Sequence, residues 1–264
     1  MSDITSPNID TTETVWVPPR GRDLMRWPLA SQHMLDRLLM RGLAALARRH
    51  VLSVTGVQNI GPELDPFILA ANHTSRREAI YLPAVLTLLR RGRLIHFLGD
   101  WNFRLYPGIN FLYRRSGTIT VSRKPAKYRP LDRFKPLYAE PAGALQCARV
   151  NLSEGRSIGI FPEGTVNRQP DRLLAGHPGA AFLSLRMNVP VVPVGISLID
   201  EPLPSGRHGI AVSIGAPLRP DRSAGSVTRA EIAVWHATIM KQIAVLSGRD
   251  WSPDKRATSD DKAG

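Results

Sequence analysis

Three short blocks, far apart in the chain, constrain this sequence more than anything else in it. They are Asn72-His73, Gly117-Thr118-Ile119-Thr120-Val121-Ser122-Arg123 and Phe161-Pro162-Glu163-Gly164-Thr165. Each stands where an apolar, strand-like run gives way to polar or turn-forming residues. In α/β sheets, ligands gather at the carboxyl ends of strands, so the blocks read as one site assembled from distant loops.

The local patterns supply the framework. Val51-Leu52-Ser53-Val54-Thr55 alternates as a strand does, and Gly56 and Asn59-Ile60-Gly61-Pro62 are turn signals. Residues 67–71 read as a buried strand that delivers Asn72 and His73. Residues 116–123 alternate as a strand ending in Arg123-Lys124-Pro125, and a strand-end arginine suits bidentate contact with phosphate. Pro141 opens a helix that Gly155 closes, and residues 157–161 form another strand feeding the Pro-Glu-Gly-Thr turn. A helix over 178–186, a strand over 210–214, and a helix opened by the capping box Thr228-Arg229-Ala230-Glu231 and closed at Gly248 complete the domain.

At 264 residues and 43% hydrophobic content the chain buries a substantial core. The expectation is a single α/β domain over 51–250, with a mixed, largely parallel sheet flanked by helices. It is preceded by a flexible arm (1–23) and an amphipathic helical segment (24–50), and followed by a disordered polar tail (251–264). Leu35, Leu38, Leu39, Leu43 and Leu46 form an apolar stripe at spacings of three and four, with Trp27 and several arginines nearby. That stripe suits either a membrane interface or packing on the domain's own core.

Lysine and arginine outnumber aspartate and glutamate by 35 to 22. Between Arg90 and Lys135 the only acids are Asp100 and Asp132, against Arg90, Arg91, Arg93, Arg104, Arg114, Arg115, Arg123, Lys124, Lys127, Arg129, Arg133 and Lys135. Anionic lipid headgroups, an acidic carrier protein or nucleic acid would each answer that charge. Few aromatics interleave it, which speaks against a base-stacking nucleic-acid surface. No stretch reaches the ~18 uninterrupted apolar residues of a membrane span. The polar N-terminus and single cysteine, Cys147, point to a cytoplasmic protein that lies on a membrane rather than through it. The remaining histidines, His177 among them, lack metal-ligand spacing and read as structural or surface groups; no metal or cofactor is expected.

Glu78 admits two readings. Ser75-Arg76-Arg77-Glu78 fits a capping box; alternatively Glu78 orients the His73 imidazole, provided His73 lies in the turn before the helix. Glu163 behind a buried strand requires a partner or a cleft.

Together the blocks resemble the glycerolipid acyltransferase superfamily, the PlsC-like lysophospholipid acyltransferases that include 1-acylglycerol-3-phosphate O-acyltransferases. The resemblance covers about 51–196 and includes a proline-rich strand, Val189-Pro190-Val191-Val192-Pro193-Val194. It implies that His73 acts as general base on an acceptor hydroxyl, which attacks the thioester of acyl carrier protein or coenzyme A without an acyl-enzyme. By position, Glu78 would orient His73; Asn72, Arg123, Glu163, Gly164, Thr165 and Arg168 would bind substrate. Three departures stand out: Glu78 occupies the family's aspartate position, Val166 stands where an arginine often follows Glu-Gly-Thr, and Asp100 replaces a basic residue. They open two alternatives: a different lipid acceptor, or a catalytically weak lipid-binding relative.

Overall fold

The computed structural model describes residues 17, 19, 21–29, 33–75, 77–202, 208–221 and 226–253. Its strands are β1 (Val51–Thr55), β2 (Ile68–Ala71), β3 (His96–Asp100), β4 (Ile119–Val121), β5 (Ile158–Ile160), β6 (Val191–Pro202) and β7 (His208–Ile214). They form one sheet in the order β1-β7-β6-β2-β5-β3-β4. All neighbours are parallel except β6 and β7. The helices are α1 (Gly21–Arg26), α2 (Met34–Ala47), α3 (Glu78–Leu89), α4 (Pro107–Ser116), α5 (Lys135–Tyr138), α6 (Ala144–Ser153), α7 (Gly179–Met187) and α8 (Arg229–Ser247).

Central β2 explains why its sequence is apolar throughout: helices cover both of its faces. Ile68 and Ala70 pack with Ala148 and Leu152 of α6, Ala180 and Leu183 of α7, and Ile239 and Ile243 of α8. Leu69 and Ala71, one pleat over, pack with Leu82, Val85 and Leu86 of α3. On the α8 side, a Cβ at Gly195 would lie 2.2 Å from the backbone of Leu246, so only glycine lets β6 approach that helix so closely.

A buried ion pair braces the edge of this core. Arg90 is 1% exposed and grips Asp65 through Nη2 at 2.6 and 2.8 Å, while Nη1 donates to Ile60 O at 2.5 Å. Its guanidinium stacks over Phe67, and Ser157 Oγ donates to the same carboxylate. Arg90, counted by sequence among the basic residues that would answer an anion, is therefore a core residue.

Several local expectations are revised. Residues 116–123 are not one strand: Ser116 ends α4, Gly117 caps it with φ 60°, and only 119–121 pair with β3. The helix expected from Pro141 begins at Ala144. The segment 24–50 is two helices, and the first of them starts at Gly21, within the expected arm. On α2, the buried positions are Asp36, Met40, Ala44 and Ala47, whereas Leu35, Leu38 and Leu46 are exposed. Met40 and Ala44 pack with Ala84 and Leu88 of α3, Leu39 and Leu43 are half-buried against the same cluster, and Leu35, Leu38 and Leu46 face outward, so the leucine stripe is split between core and surface. Asp36 is held by Arg115 Nε at 2.6 Å. Trp251, placed in a disordered tail by its sequence context, packs against the core on the α8 side and meets His236 edge-on. Residues 1–16 of the expected arm and 254–264 of the expected tail lie outside the described residues.

Candidate active site

The carboxyl end of β2 opens into residues 72–75, which run in irregular conformation to the start of α3. This is the turn that a His73–Glu78 pairing requires. Helix α3 begins at Glu78 itself, with Arg77 as its cap and no side-chain cap bond. The capping box at Ser75 does not form. Instead Glu78, 1% exposed, turns its carboxylate to the loop: Oε2 accepts from the Thr74 amide at 2.8 Å and lies 3.4 Å from His73 Nδ1, and Oε1 accepts from Thr74 Oγ1. A carboxylate beside Nδ1 accepts from an N–H there and so favours the tautomer that leaves Nε2 with its lone pair.

The main chain of His73 is held from the opposite side. Its amide donates to Glu163 Oε2 at 2.8 Å, and its carbonyl accepts from the Asn167 amide at 2.7 Å. The ring stacks on Phe161, with centroids 4.5 Å apart. Phe161 in turn packs against Phe97. The backbone, the Nδ1 edge and the ring plane of His73 are thus each constrained.

Glu163 does not line a cleft. At 4% exposure it accepts three N–H groups: from His73 at Oε2, and from the Leu174 amide and Asn167 Nδ2 at Oε1, both at 2.8 Å. Burial pushes its carboxyl above the usual range, opposed by these donors and by the charge of Arg249. Asn72 is likewise withdrawn: its Oδ1 accepts from the Ile196 amide at 2.7 Å and its Nδ2 donates to Ile196 O at 2.9 Å. Both residues tie the His73 loop to neighbouring strands and turns, and neither is among the residues that line the cavity described next. The reason is physical, since buried amides and carboxylates must satisfy their partners inside the protein.

His73, 13% exposed, stands on the wall of a cavity of about 2040 Å³. Its lining combines apolar and polar side chains. Leu43 of α2, Ile80 and Pro83 of α3, Phe97 of β3 and Leu112 of α4 are apolar. Arg123 and Lys124 after β4, with Gly164, Thr165, Arg168 and His177 around the third block, are polar or cationic. Lys124 Nζ donates to Gly164 O at 2.8 Å and joins the second block to the third. Gly164 turns with φ 66°, and a Cβ there would press on the His177 ring at 2.9 Å. His177 was read as structural from sequence; only the fold brings it to the cavity. Asp100 also reaches this wall, where its Oδ1 caps the following turn by accepting from the Asn102 amide at 2.9 Å.

The cavity thus presents both apolar and cationic side chains, with the His73 imidazole on its wall. No described group of histidine, cysteine and acidic residues has the arrangement of a metal site.

Residues 51–197 match the family described as Acyltransferase, and the chain belongs to that family. Over 157 residues it is 25% identical to the chloroplastic 1-acyl-sn-glycerol-3-phosphate acyltransferase BAT2 of Brassica napus; the match takes in 60% of this chain and 40% of that relative. The crystal structure of PlsC, the 1-acyl-sn-glycerophosphate (LPA) acyltransferase of Thermotoga maritima, has a similar fold. Its TM-score is 0.52 at 22% identity, covering 84% of this chain and 85% of that one.

Proposed function

We propose that this protein is a membrane-associated O-acyltransferase, moving a fatty acyl group from a thioester of acyl carrier protein or coenzyme A to a hydroxyl of a lysophospholipid-type acceptor. The observation that carries this reading is the His73 ring on the wall of a mostly apolar cavity that also carries cationic side chains, with Glu78 at its Nδ1. Nε2 takes the acceptor's hydroxyl proton as the oxygen attacks the thioester carbonyl. The tetrahedral intermediate then collapses, the C–S bond breaks, and the imidazolium returns its proton to the departing sulfur. Glu78 stabilises the positive charge on the ring between these two steps.

Arg123, Lys124 and Arg168 supply cations for an acceptor phosphate, and Gly164 and Thr165 shape the surface beside them. The apolar lining takes the hydrocarbon chain. Exposed Leu35, Leu38 and Leu46 on α2, together with Met25 on α1, form an apolar surface suited to a bilayer interface. Among the described residues no helix is long and apolar enough to cross a membrane. We place the protein on the cytoplasmic face, where both thioester donors are made, with basic side chains toward anionic headgroups.

Val166 in place of an arginine favours a second reading within the same chemistry, an acceptor other than lysophosphatidate. Assaying the purified protein with both thioester donors against lysophosphatidate, other lysophospholipids and glycolipids tests the proposal. Turnover of one acceptor class is expected. An absence of turnover across the panel on anionic vesicles would leave a lipid-binding relative in its place.

A further inference from the structure

We propose that the lobe formed by residues 123–138 is the docking surface for an acidic protein that carries the acyl thioester to the cavity. This rests on the acyltransferase reading and names its donor. The lobe follows β4 and begins in the cavity wall, where Arg123, Lys124 and Pro125 take part in the lining. It then runs through a 3₁₀ turn over Arg129–Phe134 into α5. Six of its side chains are cationic: Arg123, Lys124, Lys127, Arg129, Arg133 and Lys135. All but Lys135 are exposed, and the last four lie outside the cavity.

The charge of this lobe is unanswered within the chain. Elsewhere in the basic stretch, Arg90 and Arg93 pair with Asp65, and Arg115 pairs with Asp36. None of the six cations forms a salt bridge among the described residues. Asp132, the one acid within the lobe, is engaged locally: its Oδ1 accepts from the Ala126 amide at 2.6 Å. That bond draws the two halves of the basic segment together, since Lys127 follows the donor and Arg133 follows the acceptor.

The surface is also held in shape. Buried Trp101 donates from Nε1 to Lys124 O at 2.9 Å. Asn102 Nδ2 donates to Pro125 O, and the Lys127 amide donates to Asn102 Oδ1, both at 3.1 Å. Lys127 Nζ stands 5.6 Å over the Tyr128 ring, and the Arg133 guanidinium 4.8 Å over Phe134. Tyr128 and Leu137 are exposed beside these cations. Tyrosine and arginine are enriched in protein interfaces, and cations at fixed spacing with apolar groups between them complement a folded acidic surface. Anionic headgroups require only a cluster of basic side chains near the bilayer. The apolar surface of α1 and α2 has exposed Arg22 and Arg26 for that purpose. A carrier seated on the lobe stands where Arg123 and Lys124 enter the wall, so its thioester arm reaches the cavity that holds His73.

The test uses the full chain and two variants of equal charge change, Lys127→Glu/Arg129→Glu on the lobe and Arg229→Glu/Lys241→Glu at exposed positions of α8. Palmitoyl thioesters of acyl carrier protein and of coenzyme A serve as donors. Fluorescence anisotropy follows binding of the unacylated carrier protein, and flotation follows binding to phosphatidylglycerol–phosphatidylethanolamine vesicles. In the lobe variant, KM for the carrier donor is expected to rise about tenfold at low salt, the lower end of the ~10- to 10³-fold that electrostatic steering supplies. Its kcat, and its KM for the coenzyme A donor, should stay near wild type. Added salt should shrink the difference, because exposed charges are screened. The α8 variant should match wild type with both donors. Lys127→Gln/Arg129→Gln serves the same comparison if the charge-reversed variant does not fold.

An unchanged KM for the carrier donor, an equal loss with coenzyme A, the same loss in the α8 variant, or turnover with coenzyme A alone overturns the proposal. Vesicle binding lost while carrier kinetics stay intact overturns it too and assigns the lobe to the bilayer. Carrier binding that depends on the lobe, in a protein with no acyl transfer, upholds the docking surface and overturns the acyltransferase reading instead.

Discussion

The amide of His73 donates to Glu163 Oε2 at 2.8 Å across 90 residues of sequence. That bond joins the first and third blocks through main chain rather than through substrate. Glu163→Gln should therefore lower kcat by roughly tenfold or more while leaving acceptor KM close to wild type. The carboxamide places an NH2 against one of the N–H groups that the carboxylate accepts, a buried mismatch of ~1–3 kcal/mol. Steady-state kinetics separate the two parameters; a KM effect alone would return Glu163 to the substrate surface.

Glu78 occupies its position with all three contacts made by one carboxylate: the Thr74 amide, Thr74 Oγ1 and His73 Nδ1. Shortening it by one methylene in Glu78→Asp withdraws the carboxylate from a loop set for the longer side chain. The expected result is a fall in kcat, up to ~100-fold for a shift of about 1 Å. Activity equal to or above wild type would mean that the loop re-forms around aspartate.

Arg123 and Arg168 stand on the cavity wall without the burial of Glu163 or Asn72. Replacing either with alanine should raise KM for a phosphate-bearing acceptor about tenfold or more, since a hydrogen bond to a charged group contributes ~1.5–3 kcal/mol. An acceptor without phosphate should be unaffected. Equal effects on both acceptor types would place the arginines outside the headgroup site.

Stability should fall in mildly acidic solution. Burial lowers the pKa of His96 and His236 below the ordinary histidine value. His96 Nδ1 donates to Gly117 O at 3.0 Å and His236 Nε2 to Ala175 O at 2.9 Å, contacts that oppose the effect of burial without cancelling it. Above the unfolded value of ~6.5 both states are neutral and the full contribution is present. As pH falls through 6.5 the unfolded chain binds protons that the folded chain refuses, and stability declines until the folded values are reached. Glu163, shifted upward, acts in the opposite sense. Urea midpoints should drop between pH 7.5 and 5.5, and His236→Gln should flatten that slope; an unchanged slope would contradict the assignment.

Much of this molecule could be read from its residues because local and global preferences agree. Buried β2, the turn after β5 and the Thr228–Glu231 box formed as their patterns dictate. What could not be read was direction. Nothing in the spacing of Leu35, Leu38 and Leu46 says whether the stripe faces protein or solvent, because that depends on Met40, Ala44 and Ala47 giving α3 a flatter surface to pack against. For the same reason Asn72 and Glu163 read as ligand contacts: a motif marks a site without saying which members face the cavity and which support them from behind. Ser75-Arg76-Arg77-Glu78 satisfied a capping rule, yet the nearby loop offered Glu78 better partners than its own helix end. The place of His177 on the cavity wall depends on tertiary proximity alone.

The most direct measurement is the single-turnover rate of acyl transfer at saturating donor and acceptor for wild type and His73→Ala. General-base catalysis contributes about 10²- to 10⁴-fold, so the variant should lose at least roughly 100-fold, with donor and acceptor still bound and no acyl group trapped on the protein in either form. A folded His73→Ala protein that transfers the acyl group at the wild-type rate would contradict the account.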